Sequence, residues 1–182
     1  MGLVVSRVWN RFFGSTRYKL CMLGLDNAGK TTILYRWGLG EVVETQPTIG
    51  SNVESVKHRN LELQVWDVGG QTALRQIWDM YFVNSAAVIF VIDSTDVTRL
   101  PLVKAELQRV LLKEALHRTP LLILANKQDA HGALAVDDIA RMLELTSVTD
   151  RAYRIQPTSA TTGAGLTDAL DWLADTLTKT TA

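Results

Sequence analysis

Glycines at positions 24 and 29, with Lys30 and Thr31 directly behind the second, give Gly24-Leu25-Asp26-Asn27-Ala28-Gly29-Lys30-Thr31 the pattern G-x-x-x-x-G-K-[ST]. These residue types at this spacing suit the holding of a phosphate chain. Backbone N–H groups of a tight loop turn inward around the anion, which requires glycine wherever a side chain would intrude. A helix opening behind the loop adds unpaired donors and the positive end of its dipole. On this reading Gly24, Asp26, Asn27, Ala28 and Gly29 form the cradle, with Thr32 beside it in the first helical turn. Lys30 neutralises the β- and γ-phosphates and the Thr31 hydroxyl ligates Mg²⁺.

Two further clusters refine that chemistry. Asn126-Lys127-Gln128-Asp129 follows an apolar run, and the carboxyl ends of strands are where open α/β sheets bind ligands. An Asp at position 129 accepts hydrogen bonds from the ring N–H and exocyclic amine of guanine. Adenine would turn a lone pair toward it, a mismatch that discriminates by about 10⁴-fold. Ser159 and Ala160 stand after the last apolar run, where the Ala160 N–H is expected to meet the guanine carbonyl oxygen. Trp66-Asp67-Val68-Gly69-Gly70-Gln71 closes an alternating stretch. Asp67 there suits water-mediated Mg²⁺ binding, Gly70 can bring its N–H against a γ-phosphate, and Gln71 can orient a water. Thr48, in Pro47-Thr48-Ile49-Gly50, supplies a second hydroxyl for Mg²⁺. Taken alone, D-x-x-G and the 47–50 segment carry little information; their order after the phosphate loop gives them weight.

The elements that must position these residues are legible as alternating patterns. Residues 18–23, 86–92 and 121–125 are apolar runs of strand length, the latter two continuous as in strands covered on both faces. Residues 53–58 and 61–66 are separated only by Arg59-Asn60, the spacing of a tight antiparallel hairpin. Helical periodicity predicts helices over 30–37, 102–117, 136–143 and 166–177, with a last strand at 153–156. Strands alternating with helices imply an α/β fold with a mostly parallel sheet. At 182 residues, 47% hydrophobic and 21% charged, the chain is one ordinary domain with enough apolar material for a core. The single cysteine, Cys21, is expected in the core and excludes an internal disulfide. His58, His117 and His131 fall outside the motifs and are expected at the surface. Net charge is +0, which removes the simplest electrostatic case for nucleic acid as a partner.

The charge is nonetheless uneven. Residues 1–20 contain Arg7, Arg11, Arg17 and Lys19 and no acid, leaving fifteen basic against nineteen acidic residues in the remainder. Met1-Gly2-Leu3-Val4-Val5-Ser6 fits the N-myristoylation pattern, with Gly2 the acceptor. Val5, Val8, Trp9, Phe12 and Phe13 fall on one helical face with Arg7, Asn10 and Arg11 opposite, the outline of an interfacial helix. The arm is therefore assigned to residues 1–16 and the globular domain to 17–182. No apolar run approaches the roughly 20 residues of a bilayer span, so the chain is expected to be unsecreted.

Together the motifs resemble those of Ras-like small GTPases of the ADP-ribosylation factor (Arf) family, most closely its Golgi-associated Arf-like branch. Asp67-Val68-Gly69-Gly70-Gln71 and Ala125-Asn126-Lys127-Gln128-Asp129 are similar to that family's versions of the motifs. The resemblance implies a P-loop NTPase fold with a six-stranded, mostly parallel sheet, one antiparallel strand and flanking helices. It implies GTP, GDP and Mg²⁺ as ligands and slow hydrolysis through Lys30 and Gln71. The implied partners are an exchange factor, an activating protein supplying an arginine, and effectors reading Ile49, Gly50, Ser51, Trp66 and Tyr81. Ser51 stands where most Arfs carry phenylalanine. The resemblance further implies a cytoplasmic monomer cycling to the cytosolic face of Golgi membranes, its arm released when the hairpin slides in the GTP state. Neither Arg36 nor Arg75 can be assigned as an internal arginine finger. A kinase using the same phosphate loop would need an acceptor pocket and an arginine-bearing lid, and residues 100–150 show neither. A non-hydrolysing GTP-binding scaffold is disfavoured by the intact Gln71 and Thr48.

Overall fold

The strands at the centre of the molecule are buried on both faces, and because successive side chains of a strand point to opposite faces they feed two separate cores. The computed structural model describes residues 16–40 and 48–180. Gly2, the amphipathic face from Val5 to Phe13, and Pro47 lie outside the described residues. The strands are β1 (Thr16–Leu23), β2 (Ser51–His58), β3 (Leu61–Val68), β4 (Ala87–Asp93), β5 (Leu121–Asn126) and β6 (Tyr153–Pro157). The helices are α1 (Lys30–Leu39), α2 (Thr72–Arg75), α3 (Leu100–Leu111), α4 (Val136–Met142) and α5 (Leu166–Thr180). Strand order is β2-β3-β1-β4-β5-β6, with β2 antiparallel to β3 and the other neighbours parallel.

Each face of the sheet builds its own core. Leu20 and Met22 of β1, Ile89 and Val91 of β4, and Leu122 and Leu124 of β5 pack with Ile33 and Leu34 of α1 and with Leu166, Leu173 and Leu177 of α5. On the other face Cys21, Leu23, Phe90, Ile92 and Ile123 meet Val103, Leu107 and Val110 of α3 and Ile139 of α4. Burial of a Leu, Ile or Phe side chain stabilises by about 1.5–3 kcal/mol, so these two layers hold the sheet rigid. The chain leaves β1 at the point where the strand order diverges toward β3 on one side and β4 on the other. That is where open α/β sheets form their ligand crevice.

Several boundaries differ from the periodicity. The third helix opens at Leu100, two residues earlier, because Pro101 fits the first helical turn, where its missing N–H has no bond to lose. It ends at Leu111 rather than at 117. Lys113 turns extended, a short 3-10 turn follows at Glu114–Leu116, and Leu116 rather than Ala115 enters the core. A short helix (α2) and a 3-10 turn at Trp78–Tyr81, neither of them foreseen, connect β3 to β4. His117 and His131 are exposed as expected. His58 is not a free surface residue: its Nε2 lies 2.8 Å from Asp171 Oδ1 of α5, and Arg59 bridges Asp171 and Asp175 at 2.6 and 2.5 Å. These pairs fasten the tip of the β2–β3 hairpin to α5. Among the described residues no helix is long and apolar enough to cross a membrane.

Candidate active site

A cavity of about 300 Å³ opens at the carboxyl end of the sheet, lined by Asp26, Asn27, Gly29, Lys30, Thr31, Thr32, Thr48, Gly70, Gln71 and Lys127. Its floor is the phosphate loop. Gly29 has φ +91°, and a Cβ there would stand 2.4 Å from Asn126 Nδ2, so both conformation and space require glycine. Lys30 is buried and donates to the carbonyls of Gly24 (3.1 Å) and Leu25 (3.0 Å), which leaves a third N–H for a ligand. Burial pulls its ammonium below the ordinary lysine range; the carboxylates of Asp67 and Asp26 oppose that, and Arg75 adds to it.

Three oxygen ligands from three segments meet at one edge of the cavity. Thr31 Oγ1 donates to Asp67 Oδ2 at 2.6 Å, and the Thr48 hydroxyl lies 2.9 Å from Thr31 Oγ1 and 3.3 Å from Asp67 Oδ2. Asp67 is fully buried at the end of β3, and its other oxygen, Oδ1, has no hydrogen-bond partner. Burial raises the Asp67 carboxyl above the usual range, against the bond from Thr31, the charge of Lys30 and the bond from Thr48. A carboxylate and two hydroxyls are hard donors of the kind Mg²⁺ takes alongside phosphate oxygens and water. Among the described residues no cluster of three His, Cys, Asp or Glu side chains offers an alternative metal site. The donor set and the orphaned Oδ1 fit a magnesium–phosphate ligand.

Gly70 closes the cavity from above. A Cβ at this position would fall 2.3 Å from the Leu25 carbonyl carbon and 2.4 Å from both Asp26 N and Gly24 O, so the backbone of residue 70 rests directly on the phosphate loop. Around it, Gly69 N–H donates to Gly50 O at 2.9 Å and Trp78 Nε1 to Gly69 O at 3.0 Å. Gln71 is exposed on the cavity rim.

The opposite end differs in detail from expectation. Asn126 is buried, and both ends of its amide meet protein groups. Nδ2 donates to Ala28 O at 2.9 Å, and Oδ1 accepts from Ala160 N–H at 3.0 Å and Thr158 Oγ1 at 3.4 Å. Asn126 thus straps the phosphate loop to the 158–160 loop, and the Ala160 N–H is engaged with it rather than free for a base. Ser159 is buried and caps its own loop, accepting from Thr162 N–H at 3.0 Å. Asp129 is exposed and, among the described residues, carries no hydrogen bond or ion pair, so its carboxylate is available. Lys127, in a left-handed backbone conformation (φ +64°), is anchored 2.7 Å from Asp93 Oδ2. Neither doubtful arginine lines the cavity. Arg36 donates to Thr162 O at 3.1 Å and Arg75 Nε to Gly70 O at 2.9 Å.

Beside the cavity, Ile49 is 91% exposed, and Met80 and Val83 form further exposed apolar surface. Trp66 and Tyr81 pair at 5.9 Å between ring centroids, with the Lys19 ammonium 5.3 Å from the Trp66 ring. Ser51 opens β2 opposite Val68, next to Gly50. The sequence reading gave Arg75 no role and missed Trp78, Arg99 and Asp93, because no spacing rule links them to the motifs. Arg99, for example, reaches Asp26 across 73 residues of chain.

A phosphate loop at the switch point of a doubly wound sheet, faced by Thr48, Asp67 and Gly70, defines a small GTPase of P-loop fold. The solved structure of the Arl6 BBS3 small GTPase of Trypanosoma brucei, with the nucleotide analogue GppNp bound, superposes with a TM-score of 0.84 at 35% identity, covering 90% of this chain and 99% of that one. The sequence model of the ADP-ribosylation factor family matches residues 5–177, and the chain belongs to that family. It is 47% identical over 178 residues to ADP-ribosylation factor-like protein 1 of Saccharomyces cerevisiae, with 97% of each chain covered. It is 48% identical over 177 residues to ADP-ribosylation factor 1 of Brassica rapa subsp. pekinensis, again with 97% of each covered. ADP-ribosylation factor-like protein 5 of Dictyostelium discoideum is 47% identical over 176 residues, covering 97% of this chain and 96% of that one. As a family member the protein is a GTP-binding switch that hydrolyses GTP to GDP and phosphate.

Proposed function

We propose that this GTPase is recruited to the cytosolic face of Golgi membranes in its GTP state, where it binds effectors of vesicle trafficking. The observation that carries the switch is the convergence of Thr31, Thr48 and Asp67, together with the Gly50–Gly69 backbone bond. The 48–50 and 69–71 segments come to the cavity from different elements, the first tied to the second by the Gly50–Gly69 bond and the second fastened by Trp78 and Arg75. A γ-phosphate would satisfy Lys30, Thr48 and the Gly70 N–H together, whereas GDP leaves the last two without a ligand.

In hydrolysis, Thr31 and Thr48 would hold Mg²⁺ directly and Asp67 through water, and the metal supplies charge stabilisation for the transferring phosphoryl group. Lys30, already fixed by two carbonyls, directs its remaining N–H at the phosphates without reorganising. Gln71 orients the attacking water from the rim. With Arg36 and Arg75 both engaged elsewhere, the described residues around the cavity provide no arginine for the developing charge. An activating protein supplies it, and unassisted turnover is slow. Asp129 reads guanine.

The arm provides the membrane signal. A myristoyl chain on Gly2 gives only marginal binding, with K about 10⁴ M⁻¹. The apolar face and the basic residues of positions 1–16 add the second signal, about 1 kcal/mol per Lys or Arg at an anionic surface. The protein acts as a monomer with an exchange factor, and effectors read Ile49, Gly50, Ser51, Trp66 and Tyr81. The Golgi assignment is supported by the resemblance to Golgi-associated Arf-like proteins. Flotation of the myristoylated full chain with liposomes tests the reading. Flotation with a non-hydrolysable GTP analogue but not with GDP is expected, and equal flotation in both states would overturn nucleotide gating. Loss of Golgi staining in a tagged Gly2→Ala variant is the matching cellular result.

A further inference from the structure

Arg75 is a buried cation within four residues of Gln71, and its guanidinium makes a set of contacts that the switch motifs do not account for. Nε donates to Gly70 O at 2.9 Å, Nη2 to Thr72 Oγ1 at 3.2 Å, and Nη1 to Glu106 Oε1 of α3 at 3.5 Å. Nη2 also lies 3.9 Å from Asp26 Oδ1 of the phosphate loop. Only 8% of the Arg75 side chain is exposed, and 16% of Glu106. Burying a cation is costly unless it is paired and hydrogen-bonded, so the site must return its full complement of partners to tolerate it.

Those partners come from the phosphate loop, the 70–72 segment and α3. Glu106 is held in turn by Arg109 Nε at 2.9 Å, and Arg109 Nη2 donates to Arg75 O at 2.9 Å. Asp26 is held from its far side by Arg99, at 3.1 Å to Oδ2 and 3.2 Å to the main-chain oxygen. The peptide between Gly70 and Gln71 is the one whose carbonyl Arg75 grips. We propose that Arg75, held by Glu106, is a positioning residue for GTP hydrolysis that clamps the Gly70–Gln71 peptide onto the phosphate loop. This rests on the reading in which Gln71 orients water and Gly70 N–H faces the γ-phosphate.

The planar fork of arginine is essential to the clamp. It spans Gly70 O, Thr72 and Glu106 at once, while a lysine ammonium at the same position reaches one of them. A loosening of 1 Å at a reacting geometry costs on the order of 10²-fold in rate. GDP offers nothing to Gly70 in this reading, so its binding should be indifferent to the clamp.

Full-length Arg75→Lys, Glu106→Gln and the double variant test it, with Gln71→Leu alongside. Single-turnover GTP hydrolysis should fall about 10–100-fold in Arg75→Lys and less in Glu106→Gln, while GDP dissociation stays within about twofold of the parent. The double variant should be no slower than Arg75→Lys, since both changes release one clamp. Amide hydrogen exchange over residues 69–74 with a GTP analogue bound should quicken in both single variants, a readout independent of turnover. Parental hydrolysis and parental exchange in folded Arg75→Lys or Glu106→Gln, with Gln71→Leu inactive, would overturn the clamp and leave the role of Gln71 standing. Parental hydrolysis in Gln71→Leu would overturn the underlying reading and the clamp with it.

Discussion

Replacing Gly70 by alanine tests whether residue 70 must rest on the phosphate loop for the GTP state to form. The added Cβ would lie 2.3–2.4 Å from three backbone atoms of residues 24–26, where an unstrained contact is about 3.5 Å or more. One side must yield by roughly 1 Å, and the packing decides which. The phosphate loop is held by buried Leu25 and Ala28, by the two Lys30 bonds and by Asn126 on Ala28 O. Residues 71–73 are exposed, so the 69–71 segment moves and takes the Gly50–Gly69 and Trp78–Gly69 bonds with it. A displacement of that size predicts a loss of about 10²-fold in hydrolysis, equivalent to about 2.7 kcal/mol in the transition state. The GTP-analogue affinity should fall relative to GDP, because no GDP contact depends on residue 70. Dissociation rates of fluorescent GDP and GTP analogues, with single-turnover hydrolysis, measure both. If Gly70→Ala bound the two nucleotides in the parental ratio and hydrolysed GTP at the parental rate, the close approach would have no part in the switch.

Four further outcomes follow from the same geometry. Asp129→Asn should move base preference from guanine toward xanthine in nucleotide competition; unchanged GTP affinity would refute the assignment. Asn126→Ala should weaken GDP and GTP alike, because the Ala28 carbonyl and Ala160 N–H both lose a buried partner at about 1–3 kcal/mol each; a GTP-selective loss would show instead that Asn126 serves the switch. Cys21 is fully buried, and burial pushes its thiol up to about 12, so a thiol reagent at pH 8 should label it only on unfolding. Burial alone would raise Asp93, but hydrogen bonds from Lys127 and Thr95 outweigh it and hold the carboxyl below the usual range. The folded value lies below the unfolded one, so this stabilisation is complete above about pH 4 and is lost as pH falls through the lower folded value. The Tm difference between parent and Lys127→Met should therefore shrink on acidification from pH 7 to 3, and a constant difference would refute the pairing.

The topology was legible because each strand announces its environment. The continuous runs at 86–92 and 121–125 could only be covered on both faces, and the two-residue gap at Arg59-Asn60 left β2 and β3 little choice but to pair. The phosphate loop was equally readable, because a bound anion fixes both residue type and spacing, while Thr48, Asp67 and Gly70 took their weight only from following it in order. The end of α3 was not, since Ala115 continues the helical period of Val103, Leu107 and Leu111, and only the packed sheet shows that the chain must turn at Lys113 to bury Leu116. His58 carries no motif, and what fastens it to α5 is Asp171, 113 residues later.

Asn126 and Arg75 show most clearly where motif reading stops. A motif says that a side chain is needed, and leaves open whether it is needed by the ligand or by the protein. Asn126 has two hydrogen-bonding ends and spends both on backbone groups of the loops it joins, so its contribution to binding is the fixed distance between the phosphate cradle and the 158–160 loop. Arg75 stands four residues after Gln71, where an arginine invites assignment to the phosphates, yet its charge is consumed by Glu106 and by the carbonyl just before Gln71. In both cases the ligand meets a surface whose precision is set one layer back. The cost of removing either residue should therefore appear as lost geometry in its neighbours rather than as a lost contact of its own.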